Sequence, residues 1–335
     1  MLGVVALLLL LLMVVGVGVG PLSLSPSQVL RSLGVGLGLS DSAAGVSPAQ
    51  AAVVWETRLP RVLLAAMVGA CLAIAGAALQ GLFGNSLADA GVIGVTSGAS
   101  LGAICAIVLG LHFFGEWTVP AAAFLAGMAT TSLIYVLAKP GRKGGTVQIL
   151  LVGIAVTAMT GSINGFFTYI SSTTELEAIT FWSMGSLNRA SWESLAAGVP
   201  FFATGAILLL LLAKPLDVLA LGERQAQHVG LNVARTRILL VVATSLVVGA
   251  AVALAGSIGF VGLVVPHIVR LAVGPLHRWL LPISALGGAL MIVAADIGAR
   301  TLNPPSEIPI GLFTGAVGGP FFLWLLSRKR TEMRS

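Results

Sequence analysis

The chain has 335 residues, 57% hydrophobic and 9% charged, with a formal net charge of +6 and a mean hydropathy of +1.03. Soluble domains carry about 25% charged residues, so this is an integral membrane protein, and no stretch between its apolar segments is long enough to bury a water-soluble core. A β-barrel is excluded too, since barrel strands alternate over ~10 residues whereas 1–20 and 201–213 are unbroken apolar runs.

Apolar runs bounded by Gly, Pro or charge place helices at 2–20, 62–82, 92–111, 119–138, 147–170, 194–213, 236–256, 258–273, 280–299 and 308–327. The whole chain, 1–335, therefore reads as one all-α polytopic membrane domain. The run 1–20 is a first transmembrane helix rather than a cleaved signal, because it lacks a basic n-region and an A-x-A site. Residues 21–57, rich in Ser, Gly and Pro, read as an extracytoplasmic loop without a core of its own. Helices two to six fill 58–213, and helices seven to ten with a short tail fill 236–335.

An even number of spans puts both termini on one side. A cytoplasmic N-terminus leaves Arg31, Arg58, Arg61, Arg189 and Arg300 outside and the other thirteen of the 18 Lys and Arg inside. That is the positive-inside bias of a membrane protein, and basic residues spread among short connections do not form a nucleic-acid surface. Cys71 and Cys105 sit inside apolar runs and read as small packing residues.

Glycine is abundant, at 42 residues. Gly94, Gly98 and Gly102 form one four-residue ladder and Gly311, Gly315 and Gly319 another, flat strips for close helix packing or dimerisation. The inside connection 214–235 contains PLDVLALGERQAQHVGLNVAR. Its apolar positions recur at helical spacing on either side of Gly222, which predicts two short amphipathic helices forming a cytoplasmic knob or, alternatively, lying on lipid.

Several chemistries are missing. GRKGGT at 141–146 lacks the order of a phosphate-binding loop, so the chain is not an ATPase by itself and not an enzyme. His112, His228, His267 and His277 lie on separate segments without zinc spacing, so no metal or cofactor is expected on the chain. Ion-coupled carriers bury a carboxylate at mid-membrane, and the nearest candidate is Asp296. A stand-alone ion-coupled carrier is thus the competing class. The favoured reading is a pathway energised by another polypeptide.

The stretches RLPRVLLAAMVGACLAIAGAALQGLFGNSLADAGVIGVTSGASLGA (58–103), LDVLALGERQAQHVGLN (216–232), GSIGFVGLVVPHIVR (256–270) and AADIGARTLNPPSEIPIGLFTGAVGGPFFLWLL (294–326) resemble the FecCD-type permeases of ABC importers for iron chelates and cobalamin. The resemblance runs from Arg58 to the C-terminus. It implies the type II importer permease fold with ten helices per chain, a homodimer in a bacterial cytoplasmic membrane, two cytoplasmic ATPase subunits that bind ATP and Mg, and an extracytoplasmic substrate-binding protein.

By the same resemblance Arg58, Arg61 and Arg300 match outward arginines that pair with carboxylates of the binding protein, although snorkelling to headgroups is an alternative. Leu219, Ala220, Gly222, Glu223 and Gln227 match the coupling helices seated in the ATPase. Thr146 matches a cytoplasmic gate beside Lys139, Arg142 and Lys143, in a pathway lined by the fifth helix with the third and tenth. The family's N-P-L-A-x-P is N-S-L-A-D-A here (85–90), which predicts a less rigid turn. TFWSMGSLNRASW (180–192) resembles the haem-importing branch, with Phe181, Trp182 and Met184 as an aromatic outer vestibule. Haem ranks first as cargo, a ferric siderophore second and cobalamin third.

Overall fold

In a computed structural model the described residues are 1–20, 24–36, 38, 46–138, 145–304 and 306–332, with side chains left out at 145–146 and 324–332. The chain runs through α1 (Leu2–Gly18), α2 (Pro26–Gly36), α3 (Pro48–Ala52), α4 (Leu59–Phe83), α5 (Val95–Val108), α6 (Thr118–Ala138) and α7 (Gly145–Ile170). It continues with α8 (Thr173–Met184), α9 (Trp192–Leu211), α10 (Ala213–Leu219), α11 (Glu223–His228), α12 (Val233–Ala255), α13 (Val261–Val273), α14 (His277–Thr301) and α15 (Ile310–Glu332). Each apolar run of the sequence becomes a helix. Among the described residues six are long enough to cross a bilayer, and α1, α5, α13 and the apolar part of α15 are shorter. Among the described residues there is no strand, as lipid demands of a chain that must satisfy its own backbone.

Two regions read as loops are helical. Within 21–57, α2 forms first. Ser47 then opens α3 with a capping box, its side chain accepting from the Gln50 amide while the Gln50 side chain accepts from the Ser47 amide, and Pro48 follows at the first helical position. The helix then passes through a π-helical turn, Val53–Arg58, straight into α4, so the second span is one rod over Pro48–Phe83. The second region is α8, opened by a capping box of Ser172 and Glu175.

Helix α4 is the centre of the bundle, packed by α14, α12, α13, α9 and α1. Of its most apolar stretch 78% is buried, against 22% for α7, which lies on the outside of the chain. The central contacts are made by backbone. A Cβ on Gly69 would meet the carbonyl of Gly288, and one on Gly76 would meet that of Gly262. Small residues allow such close approach, and van der Waals packing then holds the helices together in a solvent as apolar as their own side chains. Gly98 and Gly102 seat α5 on α6 in the same way, at Ala126 and Ala122, while Gly94 faces Ile134.

Candidate functional site

The features that carry chemistry gather at the two ends of the bundle. At one end stand the three arginines. Their side chains are turned inward: Arg58, Arg61 and Arg300 are 4%, 6% and 5% exposed. Arg61 donates through Nε to Asp296 Oδ1 at 2.8 Å and grips Glu307 with both terminal nitrogens, at 2.7 and 2.9 Å. Arg300 Nη2 lies 3.0 Å from Asp296 Oδ2, an ion pair without the alignment of a hydrogen bond. Arg300 also donates to the carbonyls of Gly16 and Val19, and Arg58 to those of Val17 and Gly18.

These bonds explain the burial. Helix α1 ends here with no basic residue in its own last turn, and the cationic arginines satisfy its last carbonyls and complement the helix dipole. Asp296 is fully buried and balances two guanidinium groups at once. Within the chain they tie α1, α4, α14 and the connection before α15 together. Of their carboxylate partners, Glu307 has the exposed side chain, at 36%.

Beside this end, α8, α12 and α15 meet through backbone bonds. Ser186 donates to Ala255, Ser257 to Trp182 and Ile310 to Gly185, while Gly311 lies against the Met184 carbonyl. Phe181 and Trp182 line a cleft of about 430 Å³ between α8 and the starts of α6 and α9, together with Trp117, Glu116, Glu177 and Arg189. Met184 is not part of that lining.

At the opposite end, α10 and α11 form a knob bent at Gly222, whose φ of 108° and ψ of 150° lie where glycine is nearly the sole occupant. Ala220, Leu221, Gln227 and Val229 are exposed. Leu219 is half-buried against the core, and Glu223 is ion-paired with Arg237 at the start of α12. Asp217 of α10 reaches α14, where its Oδ1 accepts from the His277 amide at 2.8 Å and lies 2.7 Å from His277 Nδ1. The neighbouring turn at 85–92 is held by side chains in place of the prolines: Asn85 accepts from Leu87 and Asp89 from Gly91. Burial pushes the Asp89 carboxyl up, against the influence of the Gly91 and Val92 amides.

Between the ends, α7 touches α5 through polar pairs, Ser97 with Thr157 and Asn164 with Ser100. Beside this contact α7 carries Gly161, Ser162 and Gly165, all exposed. A Cβ on Gly161 or Gly165, or on Gly315 or Gly319 of α15, would meet nothing among the described residues. The Thr146 side chain and residues 139–144 lie outside the described residues.

Sequence reasoning missed Asp217 and His277, which are 60 positions apart, and Glu307, which is 246 from Arg61. Asp296 and Arg300 were discernible as an i,i+4 pair.

The chain is 44% identical over 286 residues to the hemin transport system permease protein HmuU of Yersinia pestis, covering 84% of this chain and 85% of the relative. It is 43% identical over 283 residues to the cobalamin import system permease protein BtuC of Halobacterium salinarum, covering 84% and 75%. With the vitamin B12 import system permease protein BtuC of Vibrio cholerae it shares 45% over 284 residues, covering 82% and 83%. A solved metal-chelate type ABC transporter in an inward-facing conformation superposes with a TM-score of 0.85 at 34% identity, covering 98% of both chains. The profile of the FecCD transport family matches residues 8–328. The chain is thus a multi-pass membrane protein and an ABC importer permease subunit, and it belongs to the FecCD transport family.

Proposed function

We propose that this chain pairs with a second copy to move haem inward across a bacterial cytoplasmic membrane, with both termini in the cytoplasm. Two ATPase subunits carrying ATP and Mg drive it, and an extracytoplasmic binding protein delivers the cargo. The observation that carries the reading is the open face of α7. The most exposed of the six long spans is also the least apolar of them, and its exposed strip of Gly161, Ser162 and Gly165 suits a second helix or a polar pathway better than lipid. The unfilled glycines of α15, Gly315 and Gly319, offer a second strip of the same kind.

The knob at α10 and α11 is the contact for the ATPase, with the apolar side chains of Leu221 and Val229 as its anchors. Docking of the binding protein at the other end works by exchange. An incoming carboxylate takes the place of Glu307 on Arg61, and Arg58 and Arg300 hold the helix ends that frame the site. Thr146, at the first turn of α7, is assigned to the cytoplasmic gate.

The ranking of cargo rests on the aromatic outer cleft at Phe181 and Trp182, because identities to haem and cobalamin permeases are nearly equal. A stand-alone ion-coupled carrier is disfavoured, since Asp296 is already committed to two arginines. The test is ATP hydrolysis by the reconstituted complex on adding binding protein loaded with haem, a ferric siderophore or cobalamin. Stimulation by haem alone supports the proposal. Stimulation by another cargo replaces haem, and uptake that persists without the ATPase overturns the mechanism.

A further inference from the structure

We infer that Asp217 and His277 form a strut that fixes the position of the coupling knob to helix α14, which makes Asp217 a positioning residue for energy coupling. The inference rests on the assignment of α10 and α11 as the ATPase contact.

The geometry is that of a helix cap supplied from another helix. The first N–H groups of a helix have no partner within it, and Leu276, which precedes α14, offers no side-chain cap. The carboxylate of Asp217 fills the gap from α10 by accepting from the His277 amide at 2.8 Å, and the same oxygen lies 2.7 Å from the His277 ring at Nδ1. A negative charge at this end of α14 also complements its dipole.

The surroundings leave the pair little freedom. His277 is 4% exposed and Leu216 is fully buried. A Cβ on Gly81 of α4 would collide with His277 Nε2 and touch Leu216. The ring is therefore clamped between α10 and α4, and α10 cannot shift without moving the N-terminus of α14. Glu223 makes a corresponding ion pair to Arg237 of α12, but its side chain is 42% exposed against 27% for Asp217.

What α14 carries makes the strut more than a local brace. The helix is 25 residues long, about 37 Å at 1.5 Å per residue, and its far end bears Asp296 and Arg300 in the arginine cluster. Pro282 interrupts the backbone ladder in its second turn, but beyond it α14 lies backbone to backbone on α4 at Gly288 and Gly69, the same helix against which the His277 ring is clamped, so a displacement at His277 is passed on to both helices. Docking at one end and ATPase movement at the other thus act on the same rigid element, as coupling between distant sites requires.

The experiment compares the purified complex bearing Asp217→Ala, Asp217→Asn, His277→Ala or both alanines. Co-purification of the ATPase, basal ATP hydrolysis, and substrate moved per ATP with loaded binding protein are each measured. The expected result is intact assembly and basal hydrolysis, with substrate moved per ATP reduced about tenfold in both single alanine variants and no further in the double variant. Asparagine, which keeps the acceptor for the His277 amide, restores most of the coupling. Unchanged transport per ATP in Asp217→Ala overturns the strut, as does loss of the ATPase from both Asp217 variants, which would show a structural role alone. Leu221→Asp is the control for the underlying assignment: if that complex still assembles and transports, it is the knob reading that fails.

Discussion

Replacing Asp296 by asparagine removes one negative charge from a fully buried site while leaving its shape almost unchanged. Arg61 keeps Glu307, but Arg300 loses its carboxylate and retains the carbonyls of Gly16 and Val19. Breaking a buried ion pair by removing one partner costs about 3–5 kcal/mol, because the remaining charge stays desolvated. The surviving partners put Asp296→Asn near the lower limit, about 3 kcal/mol, or a factor of ~10² in the folding equilibrium. Glu307→Gln removes a carboxylate from the same arginine, but its side chain is 36% exposed, and pairs that reach solvent contribute about 1 kcal/mol or less. Unfolding of the detergent-solubilised chain in denaturant should therefore separate the two variants by about 2 kcal/mol. Equal stabilities would mean that Asp296 is hydrated in solution, and the account of the arginines as internal ties would fail.

Three further outcomes follow from the same geometry. Glu307→Gln should strengthen docking of the loaded binding protein, since the internal competitor for Arg61 is weakened; titration at low and high salt reads this, and weaker docking would contradict the exchange mechanism. Gly222→Ala forces a side chain onto a backbone conformation that costs about 1–3 kcal/mol, so α11 should shift and ATP hydrolysis should lose its dependence on loaded binding protein; hydrolysis that stays coupled counts against the bend at Gly222. Gly69→Leu places a side chain where the Gly288 backbone already lies and should prevent accumulation of folded protein, whereas Gly315→Ala, which meets open space, should not. Similar yields of the two on size-exclusion chromatography would refute the packing argument.

The ten apolar helices were legible because lipid imposes a length and composition on every span. The bend at Gly222 was legible for a local reason too, a glycine between two helical repeats. Helix α8 and the turn from α3 into α4 were not, although Ser172 with Glu175 and Ser47 with Gln50 carry the spacing of a capping box; both lie in segments whose polarity reads as loop. The arginines illustrate a different limit. Their number and their end of the bundle follow from sequence, but whether a guanidinium faces out or in depends on partners such as Asp296, 235 positions from Arg61. Asp217 was hidden for the same reason, since a cap donated across 60 positions leaves no local signature. Glu223 pairs with Arg237 of α12 while its side chain stays 42% exposed, a pairing 14 positions apart that local spacing does not reveal.

Burial and apolarity run together in the long spans in a way that bears on how the protein is made. The two most buried, α4 and α12, are also the two most apolar, although in the finished bundle they touch mainly other helices. Their composition answers to an earlier moment, when each leaves the translocation machinery with lipid on every side and must partition on its own merits. Helix α7, less apolar and more exposed, has the opposite history. It enters with a weaker preference for the bilayer, so its retention depends more on neighbours already in place, α5 through Ser97 and Ser100 among them. Mutations that make the α7 strip more polar should thus appear first as defects of biogenesis, before any effect on the assembled transporter can be read.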